Sequence, residues 1–267
     1  MNKNISILGC GWLGKPLVIK LIEEGFTVKG STTTTGKFDE FKNLGITPFL
    51  ISLENLTTTI NQFLTSEILI IALPSKNIEG FNNLVKFIEK SSVKKVLFVS
   101  STSVYVSRNE VVTEDSQLQN SPLVTIENLF IKNTMFETTI VRFAGLFGYD
   151  RKPGNFFKNG RAIPNPEGFV NMIHQDDCVL ILEKIIKKNS WNGIFNACAD
   201  THPTRRDYYL KTNADLGNEQ PVFDENETTS FKIISNNKLK AALNYEFKYY
   251  DLMAFDYAHF DSQIISI

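Results

Sequence analysis

Six residues near the start of the chain, Gly9-Cys10-Gly11-Trp12-Leu13-Gly14, have the types and spacing to hold an anion with backbone alone. The pattern is G-x-G-x-x-G. Its first glycine permits a tight turn, its second lets a pyrophosphate approach the main chain, and its third lets a helix pack closely on a strand. Free N–H groups at the helix start then face the phosphates. The turn has this meaning only between a strand and a helix. Residues 5–8 are the apolar run before it, and Leu13, Leu17, Val18, Leu21 and Ile22 form one apolar helix face after it, with Gly25 as the stop. Pro16 is tolerated only near a helix start, which sets that start near Trp12 or Leu13. With a second strand expected over about residues 26–29, the reading is a dinucleotide-binding turn.

Past that strand the chain reads Gly30-Ser31-Thr32-Thr33-Thr34-Thr35-Gly36-Lys37, where an NAD-selective fold places an acid against the adenosine ribose. None is present. The hydroxyls of Ser31, Thr32 and Thr33, with Lys37 nearby, suit a 2′-phosphate, so NADP is favoured and NAD remains possible. A third strand is expected over residues 48–53, then a short polar helix and a buried strand over 68–73, whose end at Leu73 and Pro74 lines the cofactor crevice. Phe81, Leu84, Val85 and Ile88 make a helical stripe before a strand over 96–99. This alternation predicts an α/β fold, a Rossmann-type doubly wound parallel sheet. Ligands in such sheets lie at the carboxyl ends of the strands, where Gly9, Ser31, Leu73 and Ser100 would converge.

The strand-end run Ser100-Ser101-Thr102-Ser103-Val104-Tyr105 resembles that of the extended short-chain dehydrogenase/reductases, the NAD(P)-dependent epimerase/dehydratase superfamily. The likeness continues through residues 140–148, 170–177, 193–197, 202–209 and 232–245. Within the superfamily, the GCGWLG opening is similar to that of an atypical subgroup, the YeeZ-like proteins. The resemblance implies a catalytic Ser101, an NAD(P)-binding Rossmann core over residues 1–150 and a small substrate lobe over 151–267, with about 171–200 returning a helix and a strand to the core. Asp176 or Asp177 is expected to cap that helix, with Val179, Leu182 and Ile186 inward and Lys187 and Lys188 at its negative end. Thr204 is the expected cap of a later helix.

Most of the superfamily also carries a Tyr-x-x-x-Lys pair, in which tyrosine moves a proton and lysine lowers its pKa. The corresponding helix should start at Ser121-Pro122. No tyrosine occurs from Val106 through Phe147, and Lys132 has Asn128 four residues before it. If Glu127 matches the family's glutamate, Gln119 and Leu123 stand at the tyrosine and lysine positions, and neither can do the original chemistry. Tyr105, Tyr149 and His174 are the substrate-pocket candidates, each also readable as a packed ring with a satisfied polar end. A Ser101-His174-Asp176 hydrolase is set aside because the chain lacks the G-x-S-x-G turn of α/β-hydrolases.

At 267 residues and 42% hydrophobic content the chain can bury a substantial core. A net charge of −1 gives no global basic surface, which argues against nucleic acid or an anionic membrane as a partner and leaves a small-molecule substrate. Cys10, Cys178 and Cys198 are too dispersed for a disulfide framework or a metal site, so no metal and a reducing cytoplasm are expected. Two functions follow: an atypical NAD(P)-dependent oxidoreductase, epimerase or dehydratase, or a non-catalytic dinucleotide-binding sensor or regulator. A third, a β-hydroxyacid dehydrogenase, shares the LGCGWLGKPL opening but would continue into a largely helical second domain.

Overall fold

Strands and helices alternate through the first half of the chain because short β-branched runs are separated by amphipathic stretches that need a face to cover. The computed structural model describes residues 4–157, 160–226 and 229–258. In chain order they form β1 (Asn4–Leu8), α1 (Gly14–Glu23), β2 (Thr27–Thr32), α2 (Phe38–Asn43), β3 (Thr47–Leu50), α3 (Thr59–Phe63), β4 (Ile68–Ile71), α4 (Ile78–Glu89) and β5 (Lys95–Ser101). Next come β6 (Glu110–Val112), α5 (Pro122–Ile131), β7 (Glu137–Phe143), β8 (Gly145–Phe147), β9 (Met172–His174) and α6 (Gln175–Lys188). The chain continues with β10 (Ile194–Ala197), α7 (Arg205–Asp215), β11 (Lys232–Ile234) and α8 (Asn237–Leu243). Seven strands make one sheet in the order β10-β7-β5-β4-β1-β2-β3. It is the parallel, doubly wound Rossmann-type sheet expected from the sequence.

The described chain divides into two units. The first comprises Met1–Val104, Leu118–Arg142 and Val179–Phe195. Its core stacks the fully buried β4 and the buried face of β5 against α4 and α5, where Phe81, Phe98 and Phe130 meet with ring centroids 5.1 to 6.1 Å apart. The second comprises Tyr105–Gln117, Phe143–Cys178 and Asn196–Ile267. It holds two small parallel sheets, β11-β6 and β8-β9, and a core of Phe147, Met172, Tyr208, Leu252, Phe255 and Tyr257. Among the described residues no helix is long and apolar enough to cross a membrane.

Several element ends differ from the sequence expectation, each for a local reason. β2 runs on to Thr32 because β3 pairs with it, Ser31 opposite Phe49 and Thr32 opposite Leu50, so these two hydroxyl residues stand on a strand and not in a loop. β5 likewise takes in Ser100 and Ser101. β3 is shorter than expected, ending at Leu50. α1 starts at Gly14, just past the expected position. Asp176 and Asp177 do not cap α6: they lie in its first turn, and His174 Nδ1 accepts the Asp176 N–H at 3.1 Å. Thr204 caps α7 as expected, and α5 starts where expected with Pro122 in its first turn, the cap being the Ser121 side chain.

Candidate functional site

Three glycines shape the turn between β1 and α1, and each does so differently. Gly9 has φ +104°, where side chains are strained, and a Cβ on it would lie 2.7 Å from the Ala72 carbonyl oxygen and from Leu73 Cδ2. Gly14 lies so close to β1 that a Cβ would stand 2.1 Å from the Gly9 carbonyl oxygen. A Cβ on Gly11 would meet nothing within 4 Å. Two glycines are therefore demanded by packing, while the middle one keeps an open face on the turn. That open face is what a pyrophosphate needs.

The helix behind the turn starts without a side-chain cap, as α2, α3 and α8 also do. Asn77, Ser121 and Thr204 supply side-chain caps to α4, α5 and α7, whereas α1 has no side-chain cap and no acidic residue in its first turn. The Lys15 N–H donates to the Gly11 carbonyl at 3.0 Å and Pro16 has no N–H, so the turn itself closes part of the helix start, whose dipole still puts its positive end toward the turn. Ser31 is buried, and its Oγ accepts the Gly9 N–H at 2.8 Å, while its carbonyl accepts the Cys10 N–H at 3.2 Å. Its hydroxyl thus holds the turn's shape. Thr32 Oγ1 accepts the Thr34 N–H at 3.2 Å, and Thr33 is exposed beside it.

Beside the turn is a cavity of about 320 Å³ lined by Cys10, Gly11, Trp12, Lys15, Pro16, Lys37, Glu40 and Phe41. Lys15 of α1 and Glu40 of α2 form an ion pair at it, and Lys15 holds the Glu40 carboxyl below its usual range. Burial pushes the Cys10 thiol up to about 12, so it stays protonated. Leu73 packs near Gly9, and Pro74 is exposed after it. The sequence reading found the turn and Lys37 but not Lys15 or Glu40, because it sought an acid at the end of β2 and not on the next helix.

At the end of β5, Ser100 is buried and its Oγ donates to Glu127 Oε1 at 2.5 Å. Arg142 closes on the same carboxylate through Nε at 3.0 Å and a terminal nitrogen at 2.6 Å. This bidentate pair fixes α5 to β7 and β5. Ser101 is half-buried, and its Oγ accepts the Ser103 N–H at 3.1 Å. Gln119 precedes α5: its N–H donates to the Val104 carbonyl at 2.8 Å and its side-chain amide to the Ser103 carbonyl. Leu123 packs on the apolar core.

The remaining candidates lie in the second unit. Tyr105 is buried, with its hydroxyl donating to Asn196 Oδ1 at 2.8 Å. Tyr149 takes φ +52° and donates to Asp176 Oδ1 at 2.7 Å; burial, and then Asp176, push its phenol above the ordinary range. Tyr249 and Lys248 donate to the other oxygen of the same carboxylate at 3.1 and 3.0 Å. Burial works against the charge on Asp176, yet Tyr149, His174 and Lys248 together hold its carboxyl below the usual range. His174 is fully buried, its ring 4.1 Å from that of Tyr249, and burial lowers its pKa to about 4. Because its Nδ1 accepts a backbone N–H, it cannot present that nitrogen as a donor to Asp176, as a hydrolase triad requires.

The fold and the turn define a class: an α/β protein with a Rossmann-type dinucleotide-binding turn and the epimerase and short-chain dehydrogenase/reductase fold. Residues 4–123 match the family model described as the NAD binding domain of 6-phosphogluconate dehydrogenase, which supports a nicotinamide dinucleotide as the cofactor class. Over its length the chain is similar to Protein YeeZ of Escherichia coli (strain K12), at 29% identity covering 93% of this chain and 97% of that one. Among solved structures, a UDP-glucuronic acid 4-epimerase from Bacillus cereus in complex with NAD superposes with TM-score 0.76 at 17% identity, covering 97% of both chains. A short-chain dehydrogenase/reductase superfamily protein from Agrobacterium tumefaciens with bound NAD gives 0.75 at 18% identity, covering 92% of both. These likenesses are of fold. Beyond the matched residues the chain adds β7 and β10 to the sheet, where a β-hydroxyacid dehydrogenase is expected to continue into a largely helical domain.

Proposed function

We propose that the protein binds a nicotinamide dinucleotide at the Gly9 to Gly14 turn and acts as an atypical oxidoreductase, epimerase or dehydratase on a small molecule. The observation that carries this reading is the open face at Gly11, set between two glycines fixed by packing and in front of an uncapped helix. Gly9, Cys10, Gly11, Trp12, Leu13 and Gly14 would hold the pyrophosphate. Leu73, Pro74 and Ser100 lie at or just past the strand ends on the same side, and Ser31 acts by shaping the turn. Lys37, with Thr32 and Thr33, favours NADP over NAD. When bound, the cofactor would accept or return a hydride. Ser101 retains a hydroxyl proton to donate, since its bond to Ser103 uses it as an acceptor.

A second reading, a cofactor sensor without turnover, is favoured by a specific observation. A replacement tyrosine acid should have a lowered pKa, whereas Tyr149 is shifted upward and bound to a carboxylate. The test is oxidation of NADPH and NADH across a panel of small carbonyl compounds, with Ser101→Ala beside the wild type. The catalytic reading expects turnover that falls about a hundredfold or more in the variant, the scale of a lost proton-transfer group. Tight dinucleotide binding with no turnover over the whole panel would favour the sensor.

A further inference from the structure

The sequence lacks an acid where β2 ends, the place from which a carboxylate normally meets the adenosine ribose. The structure brings one to the cavity beside the turn by another route. Glu40, on α2, lines it together with Lys15 of α1 and Lys37, and Glu40 is paired with Lys15. Lys37 has no carboxylate within ion-pair distance among the described residues, and both lysines act on Glu40 electrostatically. Two cations and one anion leave the cavity with one net positive charge. Lys15 and Glu40 are also 42% and 43% exposed, so their bond can exchange without unfolding anything.

We propose that the Lys15–Glu40 pair is the element that selects the adenosine end of the cofactor. It rests on the reading of the turn as a dinucleotide site. With a free ribose, Glu40 is the hydroxyl acceptor that the end of β2 does not provide. With a phosphorylated ribose, the phosphate takes Lys15 from Glu40 and is held between Lys15 and Lys37, while the Glu40 carboxylate turns out to solvent. Lys37 alone would give a fixed preference for the phosphate. The added pair makes that preference depend on the balance of two opposed charges, and either can be removed by one surface substitution.

The experiment is calorimetric titration of the full chain with NADP and with NAD, for wild type, Glu40→Gln and Lys15→Ala. One unit charge about 4 Å from the phosphate in high dielectric changes affinity about fivefold. Glu40→Gln is expected to raise the ratio of NADP to NAD affinity by about that factor and Lys15→Ala to lower it similarly, both changes shrinking in 0.5 M salt. Variants that bind both dinucleotides with the wild-type ratio overturn the selection element and leave the cofactor turn standing. A wild type that binds neither dinucleotide overturns the turn assignment itself, and the selection element with it. Circular dichroism of each variant separates a lost fold from a changed preference.

Discussion

The three glycines of the turn differ in what they resist. At Gly14 two effects compete on substitution by alanine. Alanine gains about 1 kcal/mol of helix propensity over glycine, but its Cβ would stand 2.1 Å from the backbone oxygen of Gly9, which has no side-chain freedom to yield. Overpacking against backbone costs about 2–3 kcal/mol or more, so the clash wins. Gly14→Ala is expected to lower the urea midpoint of unfolding, and a stabilised variant would show that the helix can slide off the strand. Ser31 illustrates a different point. Its hydroxyl and carbonyl both serve the turn, so its contribution to a cofactor site is the shape of the backbone. Ser100 is similar, since its hydroxyl belongs to the Glu127–Arg142 pair.

At the scale of elements, α6 begins in an unusually polar setting. His174 precedes it, Asp176 gathers Tyr149, Tyr249 and Lys248, and Asp177 accepts from the Tyr245 hydroxyl at 2.6 Å and from the Lys248 and Tyr249 N–H groups at 2.8 and 3.1 Å. These bonds tie residues 245–249 to the helix start. The burial that lowers His174 to about 4 makes the folded state favour neutral imidazole. Between its ordinary pKa near 6.5 and about 4 the unfolded chain binds the extra proton, so this contribution is complete above pH 6.5 and is lost as pH falls to about 4. Its size is on the order of 3 kcal/mol. Asp177, raised by burial, acts in the opposite sense as it protonates. Urea unfolding at steps from pH 7 to 4 should show stability declining, with a flatter decline in His174→Gln. An unchanged slope in the variant would assign the acid sensitivity to the carboxylates.

Across the molecule, the parts legible in the sequence are those governed by local rules. The glycine turn, the stripe of α4, the start of α5 at Pro122 and the Thr204 cap each follow from periodicity or from one residue type in one place and stand where the pattern puts them, and the buried β4 starts as expected but ends two residues early, at Ile71. What the sequence did not expose depends on distant partners. β2 runs to Thr32 because β3 pairs with it, His174 is buried against the ring of Tyr249, and Lys15 meets Glu40 across 25 positions of chain. Glu127 is intermediate: in the sequence it stands out only by resemblance to a family pattern, and the bidentate Arg142 pair supplies a physical reason for an acid there. The missing Tyr-x-x-x-Lys pair was visible in the sequence, whereas the upward shift of Tyr149 required its environment. The central claim is that the middle of the turn is kept open for a dinucleotide. It is tested most directly by titrating NADP and NAD into the wild type and Gly11→Val, with urea unfolding of both. Because a Cβ there meets nothing, stability should stay within about 0.5 kcal/mol, while binding of both dinucleotides weakens about tenfold or more as the side chain fills the pyrophosphate's place. A Gly11→Val protein that binds either dinucleotide as tightly as the wild type would contradict the account.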